Sequence, residues 1–420
     1  MNSPMKTNFW KALGPGIIWA AAAIGVSHLV QSTRAGADYG FQLVGVVILA
    51  NILKYPFFQY GSRYAIATGE SLIDGYRRMG KWVVALFLVL TIGTMFTIQA
   101  AVTSVTVGLI SSVFHSPLSY VQITILLLLV CAIIVLIGHF KTLDRLIKFV
   151  VIILSLSTLT ALVAAFMKSD VRTVIDNQVP FEFSVGNVAF LIALVGWMPS
   201  AIDISVWSSL WTLAKMKATG YRPSLKESLL DFNIGYIGTT FLSLAFLGLG
   251  AMVMFHSGES FANGGVQFSN QLLALYTRSI GEWSYPILAV AAIATMFSTT
   301  LTVLDAYPRV LTPILEVYTN KVESKSSENK LKFLWMAILI TGAVLLISVF
   351  ADQMKLLVDI ATTLSFITAP VLAVLNLKAV TAAHVPSEYQ PSRFMRLFSW
   401  FGIVVLSLFA LYFLWLKMVG

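Results

Sequence analysis

The sequence predicts an all-α polytopic membrane protein, built as two inverted five-helix halves plus an eleventh helix. Three observations predict it. The 420 residues are 58% hydrophobic and 11% charged, whereas soluble domains carry about 25% charge. The deficit runs along the whole chain and gives a mean hydropathy of +0.84. Eleven stretches reach the roughly 20 apolar residues that a spanning helix needs. The first and the sixth of these carry Gly, Pro or polar residues at their centres, so an interrupted helix opens each run of five.

The spans read, in order, as residues 16–34, 42–66, 82–113, 118–138, 146–167, 185–211, 231–255, 285–312, 333–350, 355–377 and 396–416. The first is not a cleavable signal, because it lacks a small-residue cleavage site and a second span follows at once. The connections alternate in basic residues. Lys6 and Lys11 precede span 1; Arg77, Arg78 and Lys81 follow span 2; Lys141, Arg145 and Lys148 follow span 4. Lys215, Lys217, Arg222 and Lys226 follow span 6, Lys321, Lys325, Lys330 and Lys332 follow span 8, and Arg393 and Arg396 follow span 10. "FHSPLSY" between spans 3 and 4 has no Lys or Arg. Positive loops stay in the cytoplasm. The N-terminus is therefore expected inside, and eleven spans put the C-terminus outside, in a cell (inner) membrane.

The whole chain, 1–420, reads as one transmembrane domain: a first half at 14–168, an inverted second half at 183–380 and an extra helix at 394–420. The longest loops are 168–184, 256–284 and 313–332, too short for a separate soluble domain. The last contains "TNKVESKSSENKLK", a polar connection expected to be solvated. The net charge of +9 follows the loops. It therefore sets topology rather than marking a nucleic-acid binder. The single cysteine, Cys131, excludes an internal disulfide and a Cys-rich metal site. Function must lie inside the bundle.

Non-helical backbone survives in a membrane only where protein or a cavity satisfies it. Span 1 is interrupted near Gly25, Val26 and Ser27; span 6, "FLIALVGWMPSAIDISVWSSLW", near Gly196, Pro199, Ser200 and Asp203. Gly25, Ser27, His28, Gln31, Trp197, Ser200, Asp203 and Thr362 are the candidate binding residues. An intramembrane carboxylate or imidazole is costly and marks function by default. His28 and Asp203 are thus the candidate metal ligands and proton-coupling groups, and they are also suited to pair with each other. Ordinary structural roles compete at several positions. His28 can be a packing histidine, and Ser27 and Gln31 inter-helix contacts. Arg34 and Asp38 suit snorkelling or a local ion pair. Asp305 and Asp359 are placed to reach water, Lys54 and Arg63 to face the cytoplasmic side, and Thr299, Thr300, Thr302 and Thr363 to pack helices.

"GPGIIWAAAAIGVSHLVQSTRAGADYGF" (14–41) resembles the first helix of the Nramp family of proton-coupled divalent-metal transporters. The shared positions are Gly14-Pro15-Gly16, Ala35-Gly36 and Tyr39-Gly40-Phe41, without a gap. Span 2 is similar too, through Arg63, Thr68 and Gly69. The resemblance covers spans 1 to 10 and implies the leucine-transporter fold with alternating access. The departures fall on the chemistry. Where the family carries Asp-Pro-Gly-Asn, this sequence has Gly25, Val26, Ser27 and His28. Where the family carries Met-Pro-His, it has Ser200, Ala201 and Ile202, with Met198-Pro199 two residues early. "TIGTMFTIQAAVTSVTVGLI" in span 3 lacks the acidic residues of the family's proton route.

The resemblance implies a secondary transporter of a divalent metal cation, with protons as coupling ion, through an altered site. The alternative is a related carrier of an inorganic anion or small organic solute, since His28, Ser27, Ser200 and helix N-termini suit an anion. The expected partners are that small ion or solute and the lipid bilayer. No nucleic acid and no cofactor is expected. An enzyme is not expected either: "GVSHL" begins like a nucleophile elbow but ends in Leu29 and lacks the strand-to-helix turn.

Overall fold

With no water in the hydrocarbon layer, a chain this apolar must pair its backbone groups within itself, and helices do so locally. The computed structural model describes residues 14–137, 140–178, 180–257, 259–319 and 325–419, and nearly all of them are helical. Lys6, Lys11 and Lys321 lie outside the described residues.

Span 1 divides into α1 (Pro15–Ala23), a widened π-helical turn (Ser27–Ser32) and α2 (Thr33–Tyr39). The two parts are bent by 46°. The chain continues with α3 (Val44–Thr68), α4 (Leu72–Met79), α5 (Lys81–Phe114), α6 (Tyr120–Ile137), α7 (Phe140–Lys168) and α8 (Val171–Asp176). Span 6 is α9 (Val185–Gly196) and α10 (Ile204–Thr219), with residues 197–203 between them. Then come α11 (Leu225–Val253), α12 (Gly265–Ile280), α13 (Tyr285–Thr319), α14 (Lys325–Val349), α15 (Met354–Val380) and α16 (Arg393–Val419). Eight of these helices are long and apolar enough to cross a membrane, and the bent span 1 makes a ninth. α3 is 25 residues long, about 37 Å at 1.5 Å per residue, but it carries Lys54 and Arg63. The α9–α10 pair is too interrupted to register by length alone.

Contacts at the helix ends sort the connections onto two faces. Asp231 meets Gly14, Arg222 donates to the Ile66 and Ala67 carbonyls, and Tyr64 meets His384, all on one face. Tyr39 meets Asn187, Lys168 donates to the Arg278 carbonyl and Lys355 to the Phe261 carbonyl on the other. The bundle's outside is apolar: Leu126, Leu129, Ile133 and Leu136, at helical spacing on α6, are each half exposed or more, as a lipid-facing stripe requires.

Three sequence expectations change. Residues 256–284 are not a plain loop but contain α12, a helix with one buried face against α5 and α7. Its amphipathic 16 residues are too short and polar to read as a span. Residues 313–319 and 325–332, expected as part of a connection, belong to α13 and α14, and 320–324 lie outside the described residues. Span 5 starts at Phe140, so positions 141, 145 and 148 lie within its helix.

The Gly-Pro-Gly start of span 1 has a packing cause. The Asp231 carboxylate accepts from the Gly14 amide at 3.0 Å and the Gly16 amide at 2.6 Å, filling orphan donors at the helix N-terminus. Pro15, with no amide to satisfy, suits the first helical position. A Cβ on Gly16 would stand 2.2 Å from the Asp231 carbonyl oxygen. Below this contact Trp19 packs edge-on against Phe58 and Phe232, with centroids at 5.3 and 5.4 Å. Gly16→Ala is therefore expected to lower stability by about 1–3 kcal/mol, the range for overpacking, seen as a lower unfolding midpoint in detergent. Gly93→Ala, where a Cβ would meet nothing within 4 Å, is expected to leave the midpoint unchanged or raise it slightly.

Candidate functional site

The two breaks face each other across a small central pocket of about 40 Å³. A single water needs roughly 10–15 Å³ in this measure, so the space suits an ion with a few waters. Gly25, Val26 and Ser27 line it from span 1, and Trp197, Ser200, Ala201, Asp203 and Trp207 from span 6. Val102 of α5 and Thr299 of α13 close its sides. Gly25 allows the approach of α13: a Cβ there would come within 2.9 Å of Thr299 Oγ1. The helix stops at Ile24, whose backbone turns extended (φ −75°, ψ 97°).

Asp203 is the pocket's carboxylate. It sits at the start of α10, and Tyr307 of α13 donates to its Oδ2 at 3.2 Å. Asp203 also borders a narrow cleft with Thr91, Thr94, Ser365 and Thr368. The other oxygen-bearing side chains that line it are Ser27, Ser200 and Thr299; Ser27 Oγ also donates to the Ala23 carbonyl and Thr299 Oγ1 to the Thr295 carbonyl. Met198 is wholly buried and does not line the pocket. Trp197 lines it and anchors its ring by donating Nε1–H to Ser365 Oγ at 2.8 Å.

His28 is turned away from this pocket. Its Nε2 donates to the Thr239 carbonyl of α11 at 2.9 Å, and its Nδ1 lies 2.7 Å from Ser27 Oγ. The ring packs edge-on to Phe246. Both nitrogens are engaged, so neither offers a free lone pair. The expected His28–Asp203 pair does not form, because the two residues face different helices.

Gln31 and Thr362 join a separate network. Arg34 Nη1 and Nη2 donate to Asp359 Oδ1 and Oδ2 at 2.6 and 3.1 Å. Arg34 also donates to Gln31 Oε1, and Gln31 Nε2 donates to Asp359 Oδ1 and Thr362 Oγ1. The guanidinium lies 4.9 Å from the Phe190 centroid, and Tyr39 stacks on Phe190 at 5.2 Å. This layer ties α2 to α15 and α9 between the pocket and an outer recess of about 330 Å³ that Asp38, Tyr39 and Glu182 line. Asp359 thus pairs with a buried arginine rather than simply reaching water, and Arg34 does not snorkel.

Toward the opposite face a vestibule of about 520 Å³ opens between α1, α10, α13 and α14. Ile18, Ala21, Trp211, Thr302, Asp305 and Lys332 are among its walls. Asp305 there pairs with Arg309 at 2.6 Å. Trp207 lines the pocket and Trp211 the vestibule. One helical turn, about 6 Å of rise, therefore separates them. The Arg34 layer thus stands on one side of the pocket and the vestibule on the other.

Sequence reasoning misplaced Lys54. It does not face the Gly14 side; it is fully buried, and its ammonium reaches the carbonyls of the span 6 break. The available signal was a lysine in mid-span. Tyr307 and Trp207 carried no signal, since a Tyr or Trp in a span is most often packing.

A family profile described as natural resistance-associated macrophage protein-like (Nramp) matches residues 16–416. An uncharacterised protein of Pasteurella multocida is 34% identical over 405 residues, covering 96% of this chain and 92% of its own. A divalent metal cation transporter of Pediococcus pentosaceus is 24% identical over 71% of this chain and 69% of its own. Among solved structures, a mutant manganese transporter of Eremococcus coleocola superposes with TM-score 0.65 at 16% identity, over 98% of this chain and 88% of that one. MhsT in complex with L-phenylalanine gives 0.66 at 13% identity, over 96% and 98%. At these identities the structural likeness shows the fold, the leucine-transporter type, and not the cargo.

If the Arg34–Asp359 pair closes the pocket, breaking it opens the Tyr39 face. In a Cys131→Ala background, a Thr362→Cys reporter is expected to react about tenfold faster with an impermeant maleimide after Arg34→Ala, a shift of about 1.4 kcal/mol. An unchanged rate in vesicles of both orientations would show that the pair is not a closure.

Proposed function

Because the chain belongs to the Nramp family and is a secondary transporter in a membrane, we propose that it moves a small, hard divalent cation by alternating access. The observation that carries this reading is the central pocket, sized for an ion with a few waters and edged by Asp203 and three hydroxyls. Hard cations such as Mg²⁺ take oxygen ligands and keep part of their water shell. Soft or imidazole-seeking metals favour sulfur or nitrogen donors, and neither Met198 nor His28 lines this pocket. Asp203 supplies the charge, and Ser27, Ser200 and Thr299 supply oxygens. Gly25 gives space, and Trp197 walls the pocket. Gln31 and Thr362 act one layer outward, in the closure that Arg34 and Asp359 make.

In this proposal residues 14–168 and 183–380 are the halves that move against each other, and 394–420 is an added helix. The basic loops support a cytoplasmic N-terminus in the inner membrane and an outer C-terminus. The Asp305 vestibule then faces the cytoplasm, and the conformation is closed outward. Asp203 is also the proposed coupling group, since it borders both the pocket and the cleft toward α5.

A second reading has its own observation. The Lys54 ammonium donates to the Ser200 carbonyl at 3.0 Å, and Ser200 lines the pocket that Asp203 edges, so a cation stands beside the site's carboxylate and offsets its charge. A centre so offset favours a small uncharged or anionic solute over a divalent cation.

Flux into proteoliposomes distinguishes the two. Mg²⁺ or Mn²⁺ uptake is expected, with Asp203→Asn lowering it about tenfold or more, as loss of a charged ligand worth at least 1.4 kcal/mol requires, and flattening its pH dependence. Uptake left intact by Asp203→Ala would remove the site assignment. No flux or binding of any divalent cation would overturn the metal reading in favour of the second.

A further inference from the structure

Beside the central pocket lies a second polar centre, to which the divalent-cation reading gives no role. Lys54 stands roughly 15 Å of helix from Val44 and is fully buried. Its Nζ donates toward four backbone carbonyls: Val195 at 2.8 Å, Gly196 at 2.9 Å, Ser200 at 3.0 Å and Met198 at 3.1 Å. An ammonium has three protons. Four acceptors at nearly equal distance therefore form a shell around a point charge, not a set of matched bonds.

The local backbone explains why the shell exists. α9 ends at Gly196, and the last carbonyls of a helix have no partner within it. They also carry the negative end of the helix dipole, which favours a cation. The unwound residues after Gly196 turn the Met198 and Ser200 carbonyls to the same point. Gly196 lets this end lie against α15, where a Cβ would fall 2.1 Å from the Thr362 carbonyl. The Phe58 ring, with its centroid 5.8 Å from Nζ, adds a cation–π contact. Among the described residues no carboxylate lies within hydrogen-bond distance of Nζ.

We infer that the unwound part of span 6 is a monovalent-cation site, which this chain fills permanently with the Lys54 ammonium. The carbonyl shell decides the ligand class. Neutral carbonyls replace the hydration of a monovalent ion, whereas divalent ions draw carboxylates. The tethered charge stabilises the break with no free ion, so the protein needs no bound Na⁺ or K⁺ there. It does so whichever cargo the adjacent pocket carries, and the test below does not involve transport.

The test measures unfolding midpoints of the purified full chain in N-methylglucamine chloride, a cation too bulky for the shell. NaCl, KCl or ethylammonium chloride is titrated in at constant ionic strength. The wild-type midpoint is expected to ignore cation identity. Lys54→Ala empties the shell; its midpoint is expected to fall by several degrees and to recover saturably with at least one of the three small cations. If Lys54→Ala does not survive extraction in N-methylglucamine, the readout is the yield of monodisperse protein extracted in each cation. Recovery with a small cation then supports the site, and no recovery in any of them overturns it. A wild type that itself shows the saturable shift, or a Lys54→Met variant as stable as wild type without small cations, also overturns it.

Discussion

Unwound backbone inside a membrane must be satisfied by protein, and that constraint organises this structure. Two segments leave the helix, near residues 24–26 and at 197–203. Their freed groups face no bulk water, and each exposed amide or carbonyl is costly there. The buried polar residues nearest the breaks are largely committed to meeting that cost. Lys54 gathers four carbonyls of the second break. Thr299 approaches the first, and His28 ties the turn after it to the Thr239 carbonyl.

The supports cross between the halves of the sequence. Span 1 is held by span 7, through Asp231 on Gly14 and Gly16 and through Thr239 on His28. Span 6 is held by span 2, through Lys54. Each broken helix thus leans on the second helix of the opposite half. Such reciprocal support keeps both breaks in register across one pocket. The vestibule lies between these two helices, and the Arg34–Asp359 layer lies at the other end of span 1.

This arrangement also divides labour among charges. Arg34 and Asp359 form a bidentate pair at the outer layer, where the arginine is 5% exposed and the aspartate 30%. Such a pair is costly to break by removing one partner, which suits a closure. Lys54 is spent on backbone and Asp203 remains at the pocket edge. What is left for a solute is one carboxylate, a few hydroxyls and little space.

The sequence by itself determined the class of fold, because apolar length and loop charge are summed properties that need no contacts. It determined the two breaks as well: Gly25 and Pro199 are legible wherever they point. The pairing with the Nramp framework was legible in Gly14-Pro15-Gly16, though its cause, the fit of Gly16 against Asp231, lies 215 residues away. Only the tertiary structure decided direction. His28 and Asp203 are both polar residues in mid-span, yet one turns to α11 and the other to the pocket, because a different neighbour packs against each. Lys54 and Asp359 looked peripheral because their partners, at residues 195–200 and at Arg34, come from distant spans. Helical periodicity places a side chain on a face; which neighbour meets that face is fixed by packing alone.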